Sequence, residues 1–234
     1  MKILSALAVK EVVEPACEAF AQESGETFDR FFAPVGALQS RIAAGETADI
    51  AILIPPALEK LQQEGTLIGR WDLGRVGIGI AIRKDAPRPD FSTPEAFKQM
   101  LLNARSIALT DPGVGGTAGI YLAGLLERIG IAAIIKPKVQ WQKNGFLTAQ
   151  AVAQGDAELG MTQISEIVAV KGAVIAGPLP EPLQAMTTYC AAIFTASKAQ
   201  DGARAFIDKL LSPALHERWK AAGFELPGSQ VKPG

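Results

Sequence analysis

Histidine is almost missing from this chain: 234 residues contain one, His216. A lone imidazole near the C-terminus, in a segment of helical period, leaves no material for a histidine-based metal site. It also rules against a Ser-His-Asp triad built near the turns described below. Cysteine is nearly as scarce. Cys17 and Cys190 stand far apart with no metal-type spacing, so they read as isolated buried thiols rather than a disulfide framework. An excess of charge of one sign is lacking too, with 23 basic against 24 acidic residues and a net charge of −1. No basic run is interleaved with aromatics, so nucleic acid and acidic membrane surfaces are not expected as partners. Long apolar runs are absent: nothing approaches the roughly 20 residues of a membrane span, and no membrane insertion is expected. At the N-terminus the apolar run Ile3 to Val9 is short and is broken by Lys10-Glu11, unlike a secretory signal. As written the chain is expected in the cytoplasm, or in the periplasm where a signal has been removed. No pattern calls for a metal or a cofactor.

What is present is an α/β alternation. Hydrophobic residues make up 48% and charged residues 20%, which suits a globular chain able to bury a core as one domain or two lobes. Short apolar, β-branched runs alternate with segments of helical period, the pattern of mainly parallel sheets flanked by helices. Strands are expected at 2–5, 27–32, 49–54, 106–110, 134–139, 159–162 and 174–176. Helices are expected at 9–22, 36–44, 55–63, 118–129, 146–154, 201–211 and 213–222, with another starting at 92–95, and 223–234 reads as a tail. Pro55-Pro56 and Ser92-Thr93-Pro94-Glu95 are strong helix starts, and Gly25, Gly45, Gly65 and Gly130 are stops. Two long extended runs, near 75–83 and 187–194, read as crossings between lobes. Lobe I is then discontinuous, 1–80 with 195–234, and lobe II is 81–194.

Four strand-to-helix junctions carry the functional signal: Leu4-Ser5-Ala6, Ala33-Pro34-Val35-Gly36, Asp111 to Thr117, and Met161-Thr162-Gln163. A helix start presents unpaired N–H groups and the positive end of the helix dipole, so it attracts anions. The segment Asp111-Pro112-Gly113-Val114-Gly115-Gly116-Thr117-Ala118-Gly119 is the most specific of the four. No lysine follows its glycines, so it is not a phosphate loop. Its G-x-G-x-x-x-G spacing also departs from the dinucleotide fingerprint. Two readings stay open: a loop that lets a ligand approach the backbone, or a tight turn that needs small residues. The candidate ligand contacts are Ser5, Ala6, Val35, Gly36, Gly115, Gly116, Thr117 and Gln163, mostly through main-chain N–H groups. Asp111 reads as bonding its own turn, and Glu166 as a cap or a solvent-facing carboxylate. Lys143 is a solvated loop lysine or a partner for a second ligand carboxylate. His216 reads as lying on a solvated helix face. No residue identifies itself as catalytic.

The order of elements resembles the type II periplasmic binding protein fold, in particular molybdate-binding-protein-like solute receptors. The resemblance rests on the Ile3–Phe20 strand and helix, on Gly36-Ala37-Leu38-Gln39-Ser40-Arg41-Ile42 with Gly45-Glu46-Thr47-Ala48-Asp49, and on Thr110-Asp111-Pro112 with Gly116. Val152-Ala153-Gln154-Gly155-Asp156-Ala157-Glu158-Leu159-Gly160 also resembles that family. It implies two α/β lobes with a ligand cleft between them, and delivery of the ligand to an ABC permease. The departures point away from molybdate. Where the resemblance implies oxyanion-holding serines, this chain has Ala8 and Val35. A serine–alanine pair is replaced by Leu53-Ile54, and a tyrosine by Gln163. An organic anion with an apolar body, such as a carboxylate, is the expected ligand. Aconitate isomerase is similar to these solute receptors, which makes proton-shift chemistry on an unsaturated polycarboxylate the alternative. Asp111, Glu11, Glu166 or Lys143 would then supply the base.

Overall fold

A computed structural model describes residues 1–227 of the chain. Two compact units emerge, unit 1 formed by Met1–Val76 with Thr187–Gly234 and unit 2 by Gly77–Met186. In chain order the first elements are β1 (Lys2–Ala6), α1 (Lys10–Ser24), β2 (Asp29–Ala33), α2 (Val35–Ala43), β3 (Ile50–Leu53) and α3 (Pro55–Gln63). The long strand β4 (Leu67–Arg83) carries the chain from unit 1 into unit 2. There follow α4 (Pro94–Asn103), β5 (Ile107–Thr110), α5 (Thr117–Arg128), α6 (Ala132–Ile135), β6 (Val139–Gln142), α7 (Gly145–Gln154), β7 (Leu159–Gln163), α8 (Ile164–Val168) and β8 (Ala173–Pro178). Strand β9 (Met186–Phe194) returns to unit 1, which ends with α9 (Gln200–Leu211) and α10 (Pro213–Ala221). The fold is mixed α/β, with the strands and helices divided between two compact units.

In unit 1 the strand order is β2-β1-β3-β9. β1 runs parallel to both neighbours, Leu4 facing Phe31 and Ala51, while β9 is antiparallel to β3. A central parallel strand is covered on both faces, so it reads as a nearly unbroken apolar run, and Ile3 and Leu4 are fully buried. Asp49 pins this sheet. Its Oδ2 accepts from the Lys2 N–H at 2.7 Å and its Oδ1 from the Ser197 hydroxyl at 2.5 Å. Gly25 closes α1 at φ 76°, where a side chain would be strained.

In unit 2 the strand order is β4-β7-β5-β6, with β8 also paired to β4. β5 is parallel to β6 and β7, and β4 is antiparallel to β7 and β8. Phe97, Leu101, Leu109, Leu122, Ile131 and Met161 are among the residues of its core. Each such side chain taken out of water stabilises by about 1.5–3 kcal/mol. Thr93 caps α4 by accepting from the Ala96 N–H at 3.1 Å.

Two expectations are corrected. The strand expected at 134–139 is instead α6 and a 3-10 turn, Lys136–Lys138. Ile131 and Ile135 are both fully buried while Ile134 is 59% exposed, a helical and not an alternating period. Pro137, which cannot donate to a strand ladder, sits at the start of that turn. The pairing strand is β6, in the stretch around Trp141 that looks like a polar loop. The tail expected from Gly223 begins as packed structure. Phe224 is buried, 4.9 Å edge-to-face from the Trp219 ring, and Glu225 bridges to Arg75. Its remainder, 228–234, lies outside the described residues.

Candidate anion-binding site

Because β1, β2 and β3 are parallel, their C-terminal ends share one edge of unit 1. From that edge the chain enters a 3-10 turn at Leu7–Val9, then α2 after Pro34 and α3 after Ile54. None of the three preceding residues, Ala6, Pro34 or Ile54, caps its helix with a side chain. In α2 the bond from Leu38 N–H to Pro34 oxygen comes after the N–H groups of Val35, Gly36 and Ala37, which have no intrahelical acceptor. The surrounding side chains are apolar and buried, with Ala6 1%, Ala8 5% and Val35 4% exposed. Ser5 is fully buried, and its hydroxyl donates to the Ala6 carbonyl at 3.1 Å. This edge therefore offers peptide dipoles and little else.

Unit 2 repeats the plan with different side chains. β5, β6 and β7 are parallel and end on one edge. After β5, Asp111 Oδ1 accepts from the Gly113 N–H at 2.8 Å and caps the 3-10 turn Pro112–Val114, so Asp111 serves the turn. Gly115 adopts φ 73°, and Gly116 begins α5 with no side-chain cap. The glycines here divide in role. A Cβ on Gly119 would lie 2.5 Å from the Thr110 carbonyl oxygen, so Gly119 serves helix–strand packing. One on Gly116 would meet a single methyl group, Thr110 Cγ2, at 3.1 Å.

Gln163 ends β7, and its Nε2 donates to Thr117 Oγ1 at 3.1 Å. Two of the residues singled out from sequence, from separate junctions, are thus held together. Around them lies a buried polar set that the sequence reading largely missed. Thr110 and Thr148 hydroxyls are 3.2 Å apart, and Thr148 donates to the Asn144 carbonyl. Ser165 Oγ is buried without a hydrogen-bond partner among the described residues.

Glu166 corrects an expectation. It does not face solvent, being 7% exposed; it serves instead as a buried cap on the N–H of Gln163, the residue that opens α8. Its Oε2 accepts from the Thr162 hydroxyl at 2.6 Å, and main-chain N–H groups of Gln163 and Gly145 also bond the carboxylate. Desolvation outweighs these donors and pushes its pKa up to about 7. Gly145 makes room for this group, since a Cβ there would fall 1.9 Å from Glu166 Oε2. The sequence did carry a signal: Ile164-Ser165-Glu166-Ile167-Val168 encloses the acid in apolar residues. Elsewhere, Lys143 is exposed and His216 partly exposed on α10. Cys17 and Cys190 are free buried thiols, each with its pKa pushed up to about 12 chiefly by burial. No group of His, Cys, Asp and Glu residues among the described residues could hold a metal ion. No single helix there is long and apolar enough to cross a membrane.

The profile of the family described as bacterial extracellular solute-binding protein matches residues 1–225. The chain belongs to this family. Among its relatives, the solute-binding chain is 32% identical over 228 residues to aconitate isomerase from Pseudomonas sp, covering 91% of this chain and 82% of that one. It is 24% identical to the molybdate-binding protein ModA of Escherichia coli (strain K12), over 96% of this chain and 88% of ModA. In three dimensions it resembles the Azotobacter vinelandii periplasmic molybdate-binding protein, with a TM-score of 0.81 at 18% identity, covering 97% and 99% of the two chains. That last likeness speaks for the fold alone. It agrees with the type II binding-protein architecture seen in the two units.

Proposed function

We propose that this solute-binding protein holds a small organic anion, a carboxylate, through main-chain N–H groups at its uncapped helix starts. The contacts in this reading are Ser5, Ala6, Val35, Gly36, Gly115, Gly116, Thr117 and Gln163, and an ABC permease is the partner that would receive the solute. The observation that carries it is the pair of helices α2 and α5, each starting at a strand's C-terminal end with no side-chain cap. The N–H groups that precede the first intrahelical bond of α2, and the dipoles of both helices, favour a negative group. The apolar lining favours an organic body over a tetrahedral oxyanion. On the resemblance to molybdate receptors, Ala8, Val35, Leu53-Ile54 and Gln163 fall where such a receptor is expected to place hydroxyl donors. Each lost hydrogen bond to a charged oxygen forfeits about 1.5–3 kcal/mol. Calorimetric titration with trans-aconitate tests the placement. Gly116→Val, which puts a side chain at the start of α5, abolishes binding; unchanged affinity sets the placement aside.

A second reading is isomerisation of an unsaturated polycarboxylate, favoured by the 32% identity to aconitate isomerase over most of the chain. A proton shift needs a base with a pKa near the working pH, and the carboxyl of Glu166 meets that condition. Incubation with trans-aconitate in deuterated water, followed by NMR, separates the two. Protein-dependent deuterium incorporation selects the isomerase. Saturable binding without exchange selects the receptor.

A further inference from the structure

Among the described residues, Glu166 is a buried acid with no counter-charge. The elements packed against its helix α8 in unit 2 include α7, β7 and β8, and also β4, whose Gly79 lies against Ile164 and Ile167. The sequences Gly145–Gln154, Leu159–Gln163 and Ala173–Pro178 contain no titratable side chain, and α8 contains Glu166 alone. The flanking turns carry Lys143, Asp156, Glu158 and Lys171, and the unit 2 part of β4 ends at Arg83; all are exposed, and none of them contributes to the shift of the Glu166 pKa. What holds the carboxylate is neutral: the Thr162 hydroxyl and the N–H groups of Gln163 and Gly145. Those two amides belong to the starts of α8 and α7. The side chain thus ties together two junctions at the strand-end edge of unit 2. It also bonds the backbone of the residue whose side chain reaches Thr117.

From this geometry we infer that Glu166 is a positioning residue for the anion site, and that a ligand anion settling beside Gln163 drives a proton onto it. The inference rests on the anion-binding reading above. In the free protein the acid is near half-ionised at neutral pH. A second negative charge nearby, in a region of low dielectric, disfavours the ionised form, so the pKa of Glu166 rises when the ligand binds. The sign follows from linkage. Below the free-state pKa the acid is neutral with or without ligand, and binding pays no penalty. As pH rises through the free and then the bound pKa, affinity falls, and above both it levels off. A rise of one unit in the bound state corresponds to about a tenfold loss of affinity from pH 6 to pH 9.

The experiment is calorimetric titration of the intact chain with trans-aconitate at pH 7, in buffers of different ionisation heat, for the wild type and Glu166→Gln. The wild type takes up a fraction of a proton per ligand bound, and the variant takes up none and has an affinity that does not fall with pH. Equal uptake in both, or none in the wild type, overturns the inference. Should Glu166→Gln not fold, carbon-13 NMR of the wild-type glutamate carboxyls replaces it. One resonance titrating near neutrality moves to higher pH with ligand; an unmoved midpoint contradicts the coupling. If no carboxylate binds while that resonance still titrates near neutrality, the binding reading fails and the coupling falls with it. Binding without proton uptake removes the coupling alone.

Discussion

Both units arrange parallel strands so that helices start from their C-terminal ends, yet they furnish that edge differently. Among the described residues, Ser5 is the one buried non-aromatic hydroxyl, amide or carboxyl side chain of unit 1, and its hydroxyl bonds its neighbour's carbonyl. Unit 2 buries Thr110, Thr148, Thr162, Gln163, Ser165 and Glu166. One topology can therefore present an anion with peptide dipoles alone or with dipoles backed by a side-chain network. Buried polar groups are costly unless satisfied, so a fold retains a cluster of them where its geometry is fixed by many bonds. The strand-end edge of unit 1 thus offers peptide dipoles alone, and that of unit 2 adds a buried polar network.

The contrast is broken most severely at Gly145. Gly145→Val forces carbon into Glu166 and Thr162 and is expected to cost about 3 kcal/mol or more in urea unfolding. Next in size is the pH dependence of stability. The folded-state pKa of Glu166, about 7, lies above its unfolded value, so the folded state binds the extra proton. Stability is therefore greatest below the unfolded pKa, falls as pH rises to about 7, and then stays flat with respect to this group. The full contribution is roughly 3 kcal/mol. Denaturation curves of the wild type and Glu166→Gln should diverge in slope across that window; parallel curves would remove Glu166 as the source. Thr162→Val deletes one donor to the buried carboxylate and is expected to cost about 2 kcal/mol near pH 8, and less at pH 5, by thermal unfolding. The smallest effect belongs to unit 1: Ser5→Ala loses one bond to a carbonyl and should cost about 1 kcal/mol or less, independent of pH. A large or pH-dependent loss at Ser5 would erase the contrast between the units.

Much of this arrangement was legible in the chain. The α/β alternation, the glycine stops and the Pro and Thr helix starts located nearly every element, because those signals are local. Thr117 and Gln163 were named from separate junctions, and their pairing follows from the parallel order of β5 and β7. What was not legible depended on tertiary burial. Glu166 looked like a surface carboxylate because an isolated glutamate usually is one, and its donors Gly145 and Thr162 come from other elements. The 134–139 segment misled for the opposite reason: a β-branched apolar run is shared by strands and short buried helices, and here Pro137 and the burial of Ile131 with Ile135 settled it.

The measurement that bears most directly on the central claim is a thermal-shift titration of the intact chain against di- and tricarboxylates alongside molybdate and sulfate. A ligand that favours the native state raises its melting temperature. The account predicts a saturable rise with at least one carboxylate and none with the tetrahedral oxyanions at equal concentration. A rise with molybdate or sulfate and none with any carboxylate would contradict it.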